Sequence, residues 1–157
     1  MKNYLIVLLI ALLSCAKPTE PGAGQLEHVE EPKEEIKMPD KIQITVSGTT
    51  LPIVLEKNDA AEALVSALRK APITYTASDY GGFEKVGALG RSLPATDSHI
   101  TTQAGDVILY SGNQIVLFYG SNSWSYTRIG KMEYASLDAL KSFLKAGEGD
   151  IRVTLSL

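Results

Sequence analysis

The chain has 157 residues, 45% of them apolar, a single cysteine and a formal net charge of −3. One cysteine excludes an intramolecular disulfide, and with only two histidines no metal or other cofactor is expected. The acidic balance, without a stripe of Lys and Arg, argues against nucleic acid as a partner.

Met1 and Lys2 precede an apolar run from Tyr4 to Leu13. At about ten residues this run is too short to span a bilayer, which takes roughly 20. A basic start and a short apolar core have the form of a secretory signal. The run ends in Leu12-Leu13-Ser14-Cys15, which resembles the bacterial lipobox, so residues 1–14 are expected to be removed and Cys15 lipidated. Two or more acyl chains hold a protein on a membrane where one is marginal. The alternative is an ordinary signal peptide that happens to contain a cysteine. With Ala16 rather than Asp after the cysteine, a Gram-negative host would be expected to sort the chain to its outer membrane.

Residues 15–39 carry Pro18, Pro21, Pro32 and Pro39 and six Glu against three Lys. Such a segment buries too little apolar surface to offset the entropy of ordering. It reads as a tether that, as a coil, would hold the following domain on the order of 25–30 Å from the lipid. His28 lies within it as a solvated residue.

Residues 40–157 are the length of one domain with one core. Ile42, Ile44 and Val46 alternate with polar residues, and Ser47-Gly48 turns the chain into a second strand, Leu51–Leu55. Pro52 marks an edge or a bulge in that strand. A helix follows, with Asp59 as its cap, Glu62 completing a capping box, and Leu64, Val65 and Leu68 as its buried stripe. Ile73–Ser78 and Phe83–Val86 read as strands joined through Gly81-Gly82. Val107–Tyr110 and Gln114–Tyr119 form a hairpin around Ser111-Gly112-Asn113. Ile115-Val116-Leu117-Phe118 is apolar on both faces, which predicts a central strand. Ser123–Ile129 is a further strand. Ser136 opens a second helix with Leu137, Leu140 and Leu144 inward and Gly147 as its stop. Ile151, Val153, Leu155 and Leu157 then alternate to the end. Seven or eight strands and two separated helices predict a mainly β fold, a closed antiparallel barrel capped by the two helices.

The segments Asp79-Tyr80-Gly81-Gly82-Phe83-Glu84-Lys85-Val86-Gly87, Ser92-Leu93-Pro94, Ala104-Gly105-Asp106, Phe118-Tyr119 and Tyr126-Thr127-Arg128-Ile129-Gly130 resemble the small bacterial cyclophilin-like proteins. The likeness runs through essentially all of residues 40–157 and implies an antiparallel barrel with a helix at each end. True cyclophilins isomerise X-Pro bonds, using an arginine that weakens amide resonance. The Phe-His-Arg and Phe-Met-x-Gln segments that carry this chemistry there have no counterpart in this chain. The resemblance therefore implies the barrel without its catalysis, and no catalytic residue is assigned.

Trp124, Tyr126 and Arg128 are two apart and share one strand face. An arginine among aromatics can stack and still offer its fork to an anion. The alternative is an outer face on which the rings shield the guanidinium stem. Glu84 and Lys85 must point to opposite faces, so one charge goes inward with an apolar neighbour unless the strand bulges. Such conflicts between pattern and burial cluster at sites, although a charge at a strand end can also reach solvent. His99 sits in the polar stretch Thr96–Gln103 beside Asp97, read as a solvated loop residue in preference to half of a catalytic pair. The expectation is a membrane-tethered domain that holds a small molecule or peptide through Tyr80, Glu84, Trp124, Tyr126 and Arg128 without catalysis. The alternative is an extracytoplasmic peptidyl-prolyl isomerase.

Overall fold

A computed structural model describes residues 37–157. The signal, Cys15 and nearly all of the tether lie outside the described residues. The described part contains nine strands and two helices. Strands β1 (Lys41–Val46) and β2 (Thr49–Leu55) form the first hairpin. Helix α1 (Asp59–Leu68) leads to β3 (Ile73–Tyr80) and β4 (Glu84–Ala88). Next come β5 (Ser98–Thr101), β6 (Asp106–Tyr110), β7 (Gln114–Phe118) and the ten-residue β8 (Ser123–Met132). Helix α2 (Leu137–Phe143) and β9 (Ile151–Ser156) complete the chain.

Eight strands run in the order β2-β1-β9-β3-β4-β7-β6-β8, and β8 pairs back on β2 to close an antiparallel barrel. Closure leaves these eight strands no exposed edge to template aggregation. Gly130 permits it: opposite Leu55, a Cβ there would run into the Val54 carbonyl oxygen. Pro52 sits one residue before the β2–β8 pairing begins at Ile53. There its missing N–H costs the closure no bond.

Alternation sorts the barrel strands into an inner and an outer face. Ile42, Ile44, Val46, Val107, Leu109, Ile115, Leu117, Ile151, Val153 and Leu155 join one core, together with Leu64 of α1, Leu140 of α2 and Leu144 at the C-terminal cap of α2. The predicted central strand is β7, between β4 and β6, buried on both faces from Ile115 to Phe118.

Four local expectations are corrected. The cap of α1 is Asn58, whose Oδ1 accepts from the Ala61 N–H at 3.0 Å, while Asp59 is the first helical residue. Asn58 is selected because its amide also donates to the Arg128 carbonyl at 2.8 Å. Helix α2 opens at Ser136 as expected but stops at Phe143, before Gly147, because Lys145 adopts a left-handed backbone with φ 49°. In so short a helix only the later residues reach the core, and Leu137 stays exposed. The stretch Thr96–Gln103 contains a strand, β5, which pairs with Ser123–Tyr126 of β8. That part of β8 runs beyond its pairing with β6, and its free backbone groups make β5 a strand despite its polar sequence.

Candidate functional site

The β3–β4 hairpin turns through Gly81 and Gly82, both at positive φ (60° and 76°), where residues with a Cβ are strained. Phe83 falls in this turn, ahead of the strand. It is thereby released from alternation, and its ring packs on the outer cluster with Val86 while Lys85 turns inward. The sequence conflict at Glu84 and Lys85 is resolved in this way: the inward charge is Lys85, and the outward charge is Glu84.

Lys85 is fully buried and lies opposite Asp79 in the β3–β4 register. Its Nζ is 2.7 Å from Asp79 Oδ2 and also donates to the Gly149 carbonyl. Asp79 accepts further bonds from the Tyr119 hydroxyl (2.9 Å) and from the Gly147 and Gly149 amides (3.1 and 2.9 Å). Burial pushes the Asp79 carboxyl up, but the Lys85 ammonium, the two amides and Tyr119 outweigh it and hold the group at about 2. Burial, then the bond to Asp79 and the charges of Asp79 and Glu84, raise the Tyr119 hydroxyl to about 12.

On the outer face a groove of about 780 Å³ opens over β4, β7, β6 and β8. Its walls include Tyr80, Phe83, Tyr110, Trp124 and Tyr126, with Glu84 among them. The volume is that of a small-molecule site. Beneath it Ile108, Val116, Phe118 and Tyr126 form a second apolar cluster, separate from the barrel core. The rings touch in sequence. Tyr80 meets Phe83 edge-on at 6.4 Å, Phe83 stacks near Phe118 at 6.3 Å, Phe118 meets Tyr126 at 5.8 Å, and Tyr126 meets Tyr110 at 6.0 Å. Such contacts hold the lining in one arrangement. Tyr80 and Trp124 are exposed at 65% and 57%, leaving much of both side chains in reach of an incoming molecule.

Glu84 is only 4% exposed, and its Oε2 has no hydrogen-bond partner among the described residues. Burial raises its carboxyl to about 7. Tyr126 is raised as well, first by burial and then by the charge of Glu84, and its hydroxyl accepts a bond from the Asn122 amide at 3.0 Å.

Of the five residues expected to form the site, Tyr80, Glu84, Trp124 and Tyr126 line this groove and Arg128 does not. Arg128 lines a neighbouring hollow of about 280 Å³, with Tyr126 bordering both. Its guanidinium bonds to the buried Asp106 at 3.0 Å. Arg128 does follow the alternation of Trp124 and Tyr126. Four residues of strand nevertheless separate it from Trp124 by roughly 13 Å.

His99 is exposed on β5, and Asp97 accepts from the Thr127 hydroxyl at 2.6 Å. Sequence reasoning missed Phe83, Tyr110, Gln114 and Asn122 as groove residues. A signal existed for two of them, because Tyr110 and Gln114 face each other across the hairpin already legible in the chain.

No curated protein matches the chain by sequence. The solution structure of the hypothetical protein AF2241 from Archaeoglobus fulgidus superposes with a TM-score of 0.54 at 18% identity, covering 78% of this chain and 98% of that one. The structure of McbB in complex with tryptophan also gives a TM-score of 0.54, at 16% identity, covering 73% of this chain and 44% of that one. Both are likenesses of fold. The profile of the cyclophilin-like family matches residues 44–156, from the middle of β1 to the last residue of β9. An eight-stranded closed barrel with two helices packed on its core, matched along nearly its whole length, places this chain in the cyclophilin-like family.

Proposed function

We propose that this domain is a membrane-tethered binding module that holds a small molecule or peptide in the outer groove without catalysis. One observation carries the reading: a groove of about 780 Å³ walled by aromatic rings contains a buried carboxyl oxygen without a partner among the described residues. Buried polar groups are normally satisfied, so an orphan at the wall of an open groove marks a place kept for a ligand. The isomerase alternative rests on family resemblance, and fold does not carry function with it. Against it, Arg128 faces the smaller hollow and is engaged by Asp106.

Trp124 supplies the test. Screening the full chain against peptide and metabolite libraries should find ligands that change Trp124 emission and raise the melting temperature. No change across the libraries would remove the binding reading. A proline-peptide isomerisation assay should give the uncatalysed rate, and acceleration lost on Arg128→Ala would restore the enzyme. The tether is tested separately. Cys15→Ser should release the protein from the membrane fraction, and retention there would end the lipid-anchor reading.

A further inference from the structure

We propose that the groove takes an organic ammonium ion, the head of an alkylamine, with Glu84 as its counter-ion and the surrounding rings as its walls. This rests on the binding reading and narrows it to one ligand chemistry.

Three observations converge. The first is the free acceptor: Glu84 is 4% exposed, with Oε2 unbonded among the described residues. A buried carboxylate is expensive unless a cation or donors meet it. Lys85, the adjacent buried charge, has its partners within the fold, so Glu84 is the group left to be met from outside. The second is the field. Among the described residues no Lys, Arg or His lines the groove, and its remaining polar side chains are the neutral Gln114 and Asn122 and three tyrosines. Ring faces are electronegative and favour cations, as in the aromatic cages that bind ammonium groups. The third is size and ligand number. A space of about 780 Å³ is far larger than a bare ion, and one carboxylate falls well short of the six to eight oxygens a Ca²⁺ takes. An N–H-bearing ammonium satisfies Oε2, whereas a quaternary one offers it no donor.

The titratable groups around Glu84 are Tyr80 on β3, Tyr110 on β6, Tyr119 at the end of β7 and Tyr126 on β8, with Asp79 behind Tyr119. Burial holds the Glu84 carboxyl at about 7. A bound cation favours the carboxylate and releases its proton. Affinity is therefore full above about pH 8 and declines as pH falls through about 7, while an alkylamine stays protonated throughout.

The full chain is titrated with cyclohexylammonium, cyclohexanol and cyclohexanecarboxylate, reading Trp124 emission and calorimetric heat. N-acetyl-lysine methylamide and its norleucine counterpart form a second arm, which separates a free amine from a lysine side chain. Each amine should bind at least about tenfold tighter than its neutral analogue. Glu84→Gln should weaken the amines by roughly ten- to a hundredfold and remove the loss between about pH 8 and pH 6, leaving the melting curve two-state. Glu84→Asp, which retains the charge, should keep part of the affinity and its pH dependence. Neutral analogues binding as tightly as the amines would overturn the ammonium proposal and leave the groove reading standing. Silence from all five compounds would also overturn it, with the groove reading then decided by the library screen. Amine binding unaffected by Glu84→Gln would remove Glu84 as the counter-ion.

Discussion

Glu84 and Lys85 are consecutive residues of one strand, both buried, and their surroundings are opposite. Lys85 projects inward to Asp79 and a backbone carbonyl, and Asp79 is itself bonded by Tyr119 and two amides. Glu84 projects outward among aromatic rings, and its Oε2 has no hydrogen-bond partner among the described residues. The inner charge ties β3 and β4 to the segment between α2 and β9 and completes its bonds within the fold. The outer charge is desolvated without compensation, which costs stability and is retained most economically where a ligand supplies the partner. Two buried charges on one strand thus have different surroundings, one bonded within the fold and one facing the groove.

The largest expected break in this contrast comes from Asp79→Ala. It strands the Lys85 ammonium in the interior. Removing one partner of a buried pair costs about 3–5 kcal/mol, lowering the melting midpoint by roughly 10–20 °C in calorimetry. Lys85→Met should cost less, because the thioether chain fills the space and Asp79 keeps Tyr119 and the two amides. Equal losses from both variants would mean that the pair acts through something other than its charge.

Next in size is Glu84→Leu, expected to stabilise the protein by about 1–2 kcal/mol at pH 8 in denaturant titration, since it removes an unpaired buried carboxylate. Ligand response should be lost with it. The two carboxyls should also leave opposite marks on the pH dependence of stability. Asp79 is lowered from 3.8 to about 2, so its contribution is present above about pH 4 and is lost as pH falls toward 2. Glu84 is raised from 4.5 to about 7, so its contribution is full below about pH 4.5 and is lost as pH rises through 7. Asp79→Asn should flatten the acid limb and Glu84→Gln the limb between about pH 4.5 and 7. Exchange of these two effects would refute the assignment of inner and outer charges.

The smallest change in stability should follow Trp124→Ala. At 57% exposure the substitution should shift stability by no more than about 0.5 kcal/mol. It should weaken ammonium binding about three- to thirtyfold. A large loss of stability would instead make Trp124 part of the packing and not of the recognition surface.

Much of the barrel was legible in local pattern. Ile42, Ile44 and Val46 in β1 and Ile151, Val153 and Leu155 in β9 alternate because one face of each strand meets the core, and β7 is apolar from Ile115 to Phe118 because both faces are covered there. The conflict at Glu84 and Lys85 was visible from the same period of two, although not its outcome. Other features depended on partners far along the chain. Asn58 and Asp59 are both competent helix caps, and the contact to the Arg128 carbonyl seventy residues later selects Asn58. The polar segment Ser98–Thr101 becomes a strand because β8 presents an unpaired edge to it. Arg128 shares a face with Trp124 and Tyr126 by sequence, yet distance along the strand places it in another hollow. By itself the sequence determined which residues share a face of each strand, because side-chain direction is a local property of the backbone. Only the tertiary structure decided which faces enclose a groove and which buried charge keeps a partner, because both depend on how strands distant in sequence close around one another.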